Sequence, residues 1–139
     1  MSSSAHIVQR VDAVLSQALL TERERWVAVD PDLGVVFDEI RLLTESGKRL
    51  RPQFAHWGWV AAGGNPQSQE PDFIGAAIEL LHIFALFHDD VIDDAGTRRG
   101  NATTHVRLSQ HHAKEQWAGE SRRFGEGSAI LIGDIAYLL

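Results

Sequence analysis

Four aspartates fall within six residues in the run His88-Asp89-Asp90-Val91-Ile92-Asp93-Asp94. On a helix, Asp89 and Asp93 lie one turn apart and offer oxygens to one point in space. Asp90 and Asp94 form the adjoining stripe. Glu79 and His82 fall within roughly 80° of Asp89 and Asp93 on the same wheel, and His88 points elsewhere. Carboxylates this close repel one another and lose hydration, so something cationic must compensate. Hard divalent cations take oxygen ligands, and Mg²⁺ is usually held by one or two carboxylates plus substrate phosphate. The bland alternative is a solvated, acidic helix end. Acid at a helix C-terminus opposes the macrodipole, which counts against a purely structural role.

Two basic clusters bear on that choice. Gly47-Lys48-Arg49-Leu50-Arg51-Pro52 places Lys48 and Arg51 three residues apart, where they share a helix face. Arg98-Arg99-Gly100 follows the acidic run directly. Arginine grips phosphate bidentately, and lysine binds it as a point charge. Each basic cluster alone reads as solvated surface. Acids able to hold a metal, flanked by bases able to hold phosphate, point to a metal-bridged diphosphate site.

The elements that must position these groups read as helix throughout. Ile7, Val11, Val14, Leu15 and Ala18 recur at helical spacing and predict a first helix over about 5–26, with Ser2 to Ser4 as candidate caps. Asp30-Pro31-Asp32 breaks the chain. A second helix over 33–44 ends before Gly47, and a third, opened by Pro52, runs to about 62. Gly63-Gly64-Asn65-Pro66 is a loop, and the central helix spans about 71–95. Gly96 and Gly100 bracket a charged turn, and 103–116 is helical. The polar, glycine-containing stretch 119–127 reads as loop, and 128–139 as a buried helix. The fold class is all-α, one region over 1–139.

Composition narrows the function. The 139 residues are 44% hydrophobic and 23% charged, enough for a core and too apolar for disorder. A net charge of −6 disfavours a general nucleic-acid binder. The absence of cysteine excludes thiolate metal sites. No signal-peptide run opens the chain, and no stretch reads as a membrane span, so a soluble, cytoplasmic protein is expected. His105, His111 and His112 match no common zinc spacing and read as solvated. Trp57 and Trp59 read as core or as a contact between copies, and Arg122-Arg123 as surface.

The pattern resembles the trans-type isoprenyl diphosphate synthases, or polyprenyl synthetases. The likeness rests on Gly-Lys-Arg-Leu-Arg-Pro at 47–52, Glu-Leu-Leu-His at 79–82 and His-Asp-Asp-Val-Ile-Asp-Asp at 88–94. Arg98-Arg99-Gly100, Thr104-His105 and Gly133-Asp134 continue it. The resemblance implies a helical fold around a central cavity. It also implies Mg²⁺-assisted, head-to-tail condensation of an allylic diphosphate with isopentenyl diphosphate. It assigns Mg²⁺ to Asp89 and Asp93, supported by Asp90 and Asp94. It assigns the allylic diphosphate to Arg98, and isopentenyl diphosphate to Lys48, Arg51, His82 and Arg99. No side-chain base is implied, because the released diphosphate is commonly assigned that role. Phe73, Leu80, Phe84 and Phe87 are expected to wall off water from the allylic cation. Phe84, five residues before Asp89, and Ala85 are expected to set a short product, C20 or C15. Ala102 departs from the family's usual proline. No counterpart of the family's second aspartate-rich motif follows Asp134, so the chain is expected to be an N-terminal half. Such a half is either part of a homodimer, completed by a partner, or a non-catalytic subunit.

Overall fold

A computed structural model describes residues 3–45 and 47–139. The elements are α1 (Ser4–Val27), a short 3₁₀ turn (Pro31–Leu33), α2 (Gly34–Thr44), α3 (Leu50–Ala61), α4 (Glu70–Ile92), β1 (Thr97–Arg98), β2 (Asn101–Ala102), α5 (Thr104–Lys114) and α6 (Ser121–Leu138). The all-α expectation holds, with one small hairpin added. The chain divides into two compact units, one running to Leu81 and the other spanning His82–Leu138, with α4 contributing a half to each.

In the first unit, α1 buries Ile7, Val11, Leu15 and Leu19, one residue per turn. Its cap is Ser3, whose hydroxyl accepts the His6 N–H at 3.3 Å; Ser2 lies outside the described residues. Asp30 caps the next turn by accepting from the Asp32 N–H at 2.9 Å, with Pro31 in the first turn. α2 turns Phe37 and Ile40 inward, and the Phe37 ring meets Trp26 edge-on at 5.7 Å. Gly75 on α4 permits a close approach, since a Cβ there would sit 3.1 Å from Pro52 and 3.2 Å from Val11. Arg10 of α1 binds Asp72 of α4 through Nε at 2.7 Å and also reaches the Pro66 and Ser68 carbonyls.

Beside that pair, His56 of α3 is fully buried and neither ring nitrogen is hydrogen-bonded. Burial, then the nearby Arg10 charge, pushes its pKa below the ordinary 6.5, with Asp72 opposing and His6 adding to the fall. A base with a lowered native pKa binds more protons when unfolded, so stability drops as pH falls below 6.5 and levels off under the native value. Thermal melts between about pH 5 and about pH 8 are expected to show this slope in the native chain and a flatter one in His56→Phe, which leaves no ring nitrogen unsatisfied.

In the second unit, α6 runs antiparallel to the second half of α4. Tyr137 meets Phe84 at 5.3 Å, Asp134 meets His88 at 3.3 Å, and Arg122 meets Asp94 at 3.2 Å. The stretch 119–127, expected as loop, is instead largely helix, because α6 begins at Ser121. Its glycines serve contact rather than flexibility: Gly125, Ala129, Gly133 and Ala136 form a small-residue face that α6 buries. His105 and His112, expected in solvent, are buried. His112 Nδ1 pairs with the Ser121 hydroxyl at 2.9 Å, and its ring packs on Trp117 and Phe124. α5 and α6 are thus joined by an aromatic turn that the polar composition of 115–121 conceals.

α4 meets the length and composition of a membrane span, contrary to the expectation of none. It is built as a core helix all the same. Ala76, Leu80, Ile83 and Phe87 form its buried stripe. The expected apolar wall therefore splits: Leu80 and Phe87 are core, Phe84 is half-buried, and Phe73 is exposed together with Ile74 and Leu81.

Candidate functional site

The acidic run sits where α4 ends, and that end is three residues earlier than its periodicity suggests. The Ala95 N–H bonds the Asp90 carbonyl at 2.9 Å, and the Asp94 N–H bonds that of Val91 at 3.2 Å. Asp94 holds φ +49 between them. This is the bonding of a Schellman stop, with aspartate in the left-handed seat that glycine usually takes. Asp93 still continues the helical pattern, its N–H on the Asp89 carbonyl at 2.8 Å.

Burial then separates the four carboxylates. Asp90 is buried and gripped by Arg98, whose Nε lies 2.8 and 3.0 Å from its two oxygens. That hydrogen bonding raises the Arg98 pKa above its already high ordinary value, so the guanidinium stays charged. Asp89 is exposed and shares Arg98 Nη2 at a longer 3.3 Å. Asp93 is exposed, and its carboxylate makes no hydrogen bond or ion pair among the described residues. Asp94 faces Arg122, both exposed, a contact worth little in water. The compensating cation that crowded acids require is therefore, for Asp90, an arginine.

Arg98 is delivered by the hairpin. Thr97 pairs with Ala102 and Arg98 with Asn101, leaving Arg99 and Gly100 as the two-residue turn. Both take positive φ, +52 and +84, as a type I′ turn demands. Arg99 is thus exposed at the tip. His82 lies half-buried on α4 in this second unit. Lys48 and Arg51 belong to the first unit, exposed on either side of Arg49 where α3 begins. Phe84 packs its ring on His88 at 4.5 Å and on Tyr137, while Ala85 is exposed.

Glu79, grouped with the acids by its place on the wheel, is buried and bound to Arg49 at 3.1 Å. Sequence reasoning passed over Arg49 in favour of its neighbours. It also passed over the contact of His88 Nε2 with Asp134, on a ring whose Nδ1 donates to the Phe84 carbonyl at 2.9 Å. The clue available was Gly133: a Cβ there would lie 2.8 Å from the His88 ring.

Among the described residues no group of three or more His, Cys, Asp or Glu side chains forms a ready metal cage. The donor set at the α4 end still suits a hard cation. Asp89 and Asp93 offer only oxygen, stand one turn apart and are open to solvent, which matches an ion that keeps waters and shares phosphate.

The polyprenyl synthetase family model matches residues 37–139. A short chain isoprenyl diphosphate synthase of Methanothermobacter thermautotrophicus is 38% identical over 96 residues, 69% of this chain and 24% of that protein. A geranylgeranyl diphosphate synthase of Sulfolobus acidocaldarius is 38% identical over the same share of each. The chain spans about a quarter of the length of these curated relatives. Among solved structures, geranylgeranyl pyrophosphate synthase from Corynebacterium glutamicum, complexed with isoprenyl diphosphate and magnesium, superposes with a TM-score of 0.85 at 28% identity. The match covers 95% of this chain and 38% of that one.

Proposed function

The chain belongs to the polyprenyl synthetase family, and from that premise we propose that it carries one side of a prenyltransferase site. In this reading an allylic diphosphate is condensed head-to-tail with isopentenyl diphosphate in the aqueous cytoplasm. The observation that carries the reading is the division of labour at the end of α4: Asp90 is neutralised by Arg98, while Asp89 and Asp93 remain open. Asp89 and Asp93 would hold Mg²⁺, which would supply positive charge against a departing diphosphate. Arg98 stays protonated and keeps Nη1 free of hydrogen bonds among the described residues, so it can grip the allylic diphosphate without releasing Asp90. For isopentenyl diphosphate, the family resemblance names Lys48 and Arg51 in the first unit and His82 and Arg99 in the second. Asp90 and Asp94 would support the Asp89 and Asp93 pair, Asp94 from its left-handed seat at the helix stop. The exposed apolar face of α4, with Phe73, Ile74, Leu81 and Ala85, shields the allylic cation from water. Phe84, braced by Tyr137, limits the product to C20 or C15.

A second reading has its own support. The chain spans 38% of the structural neighbour, so the site is completed by a partner, by a second copy, or by further chain. The test is a Mg²⁺-dependent condensation assay with labelled isopentenyl diphosphate and C5, C10 and C15 allylic diphosphates. Product from the chain alone establishes self-sufficiency, and its length tests the role of Phe84. Diphosphate binding without product supports the partner-dependent reading. Neither binding nor product overturns both.

A further inference from the structure

Arg49 stands between the two exposed cations of the first unit, yet it is itself buried and in the left-handed backbone region at φ +49, ψ +38. A long, branched-headed side chain gains nothing from that conformation. Such strain persists where the surroundings over-determine it. Here they do. Arg49 Nε binds Asp12 of α1 at 2.8 Å, Nη1 binds Glu79 of α4 at 3.1 Å, and Nη2 binds the Thr44 carbonyl at the end of α2. Gln53 closes the loop from the other side, its side-chain amide donating to the Lys48 and Arg49 carbonyls, both at 3.1 Å. Three elements thus fix one guanidinium, and that guanidinium fixes the backbone kink between Lys48 and Arg51.

We propose that Arg49 and Glu79 are positioning residues that hold the 47–51 kink and so aim Lys48 and Arg51 at a diphosphate. The proposal rests on the diphosphate reading given above. Glycine at 49 would adopt the kink freely but would have nothing to lock it. Lysine would keep the charge but cannot fork to three partners. Glu79 is the anchor because its side chain is only 7% exposed, whereas that of Asp12 is 44% exposed.

The test compares Glu79→Gln with Asp72→Asn, which weakens the separate Arg10 pair on the same helix of the same unit. Two readouts are taken, each normalised to the loss of melting temperature. One is hydrogen exchange at the Gln53 amide, which is bonded to the Arg49 carbonyl at 3.3 Å. The other is calorimetric binding of isopentenyl diphosphate. Glu79→Gln is expected to speed Gln53 exchange and weaken binding about tenfold each, the size of a lost charge-assisted hydrogen bond. Asp72→Asn is expected to change neither beyond its global destabilisation, and Arg49→Lys to resemble Glu79→Gln. Exchange and affinity that Glu79→Gln leaves unchanged, or that both variants alter equally, overturn the positioning role. No binding by the native chain, or binding that Lys48→Ala leaves intact, instead overturns the diphosphate reading.

Discussion

Gly125→Ala is expected to destabilise the second unit by about 3 kcal/mol, and Gly127→Ala to stabilise it by about 0.5 kcal/mol. The two glycines lie two residues apart on α6, yet their surroundings differ completely. A Cβ at Gly125 would sit 2.2 Å from the His105 carbonyl oxygen and 2.9 Å from the Ser109 amide nitrogen, both backbone atoms of α5. Backbone cannot rotate away as a side chain can, so α5 and α6 must separate where Gly125 lets them approach. A Cβ at Gly127 meets nothing within 4 Å, so the methyl group only removes the entropy that glycine loses in a helix. Urea unfolding of the two variants beside the native chain checks this. Equal midpoints would show that the helix contact is not what stabilises the unit.

That contrast also shows where the sequence stops being legible. Glycine marks loops and close helix contacts alike, and only the partner helix tells them apart. Polar residues around Gly119–Gly127 tipped the balance toward loop, and the aromatic packing of Trp117 on His112 and Phe124 was invisible because it is made across a turn. The long apolar helices were readable because their burial follows their own period, as Ile7 to Leu19 do. The end of α4 was not. Gly96 offered a more obvious stop than Asp94, but the left-handed seat falls on Asp94.

The acids teach the same lesson more sharply. Periodicity placed Glu79 with Asp89 and Asp93. It could not show that Asp72, Glu79 and Asp90 are the buried acids of α4, each held by an arginine from another element: Arg10, Arg49 and Arg98. Those arginines lie 62, 30 and 8 residues away in sequence, beyond any local pattern. A crowded carboxylate announces that it needs a cation; it does not say whether the cation is a side chain or a ligand.

Asp89 and Asp90 turn that ambiguity into opposed expectations. Asp89→Ala is expected to lower Mg²⁺-dependent affinity for inorganic pyrophosphate at least about 100-fold, with the melting temperature nearly unchanged. Its side chain is 58% exposed and its contact with Arg98 is long, so little stability is lost with it. Asp93→Ala is expected to behave alike. Asp90→Ala is expected to do the reverse first, costing about 1.5–3 kcal/mol of stability, because Arg98 loses its buried partner and keeps only the long contact to Asp89. Calorimetric titration and urea unfolding of the three variants separate the outcomes. Matching losses of stability in Asp89→Ala and Asp90→Ala would mean that the acidic run is one structural cluster and that its open pair has no ligand to hold. Opposite losses would mean that one helix end divides its carboxylates by a single step along the chain: the residue facing inward secures the arginine, and the residue beside it faces the diphosphate.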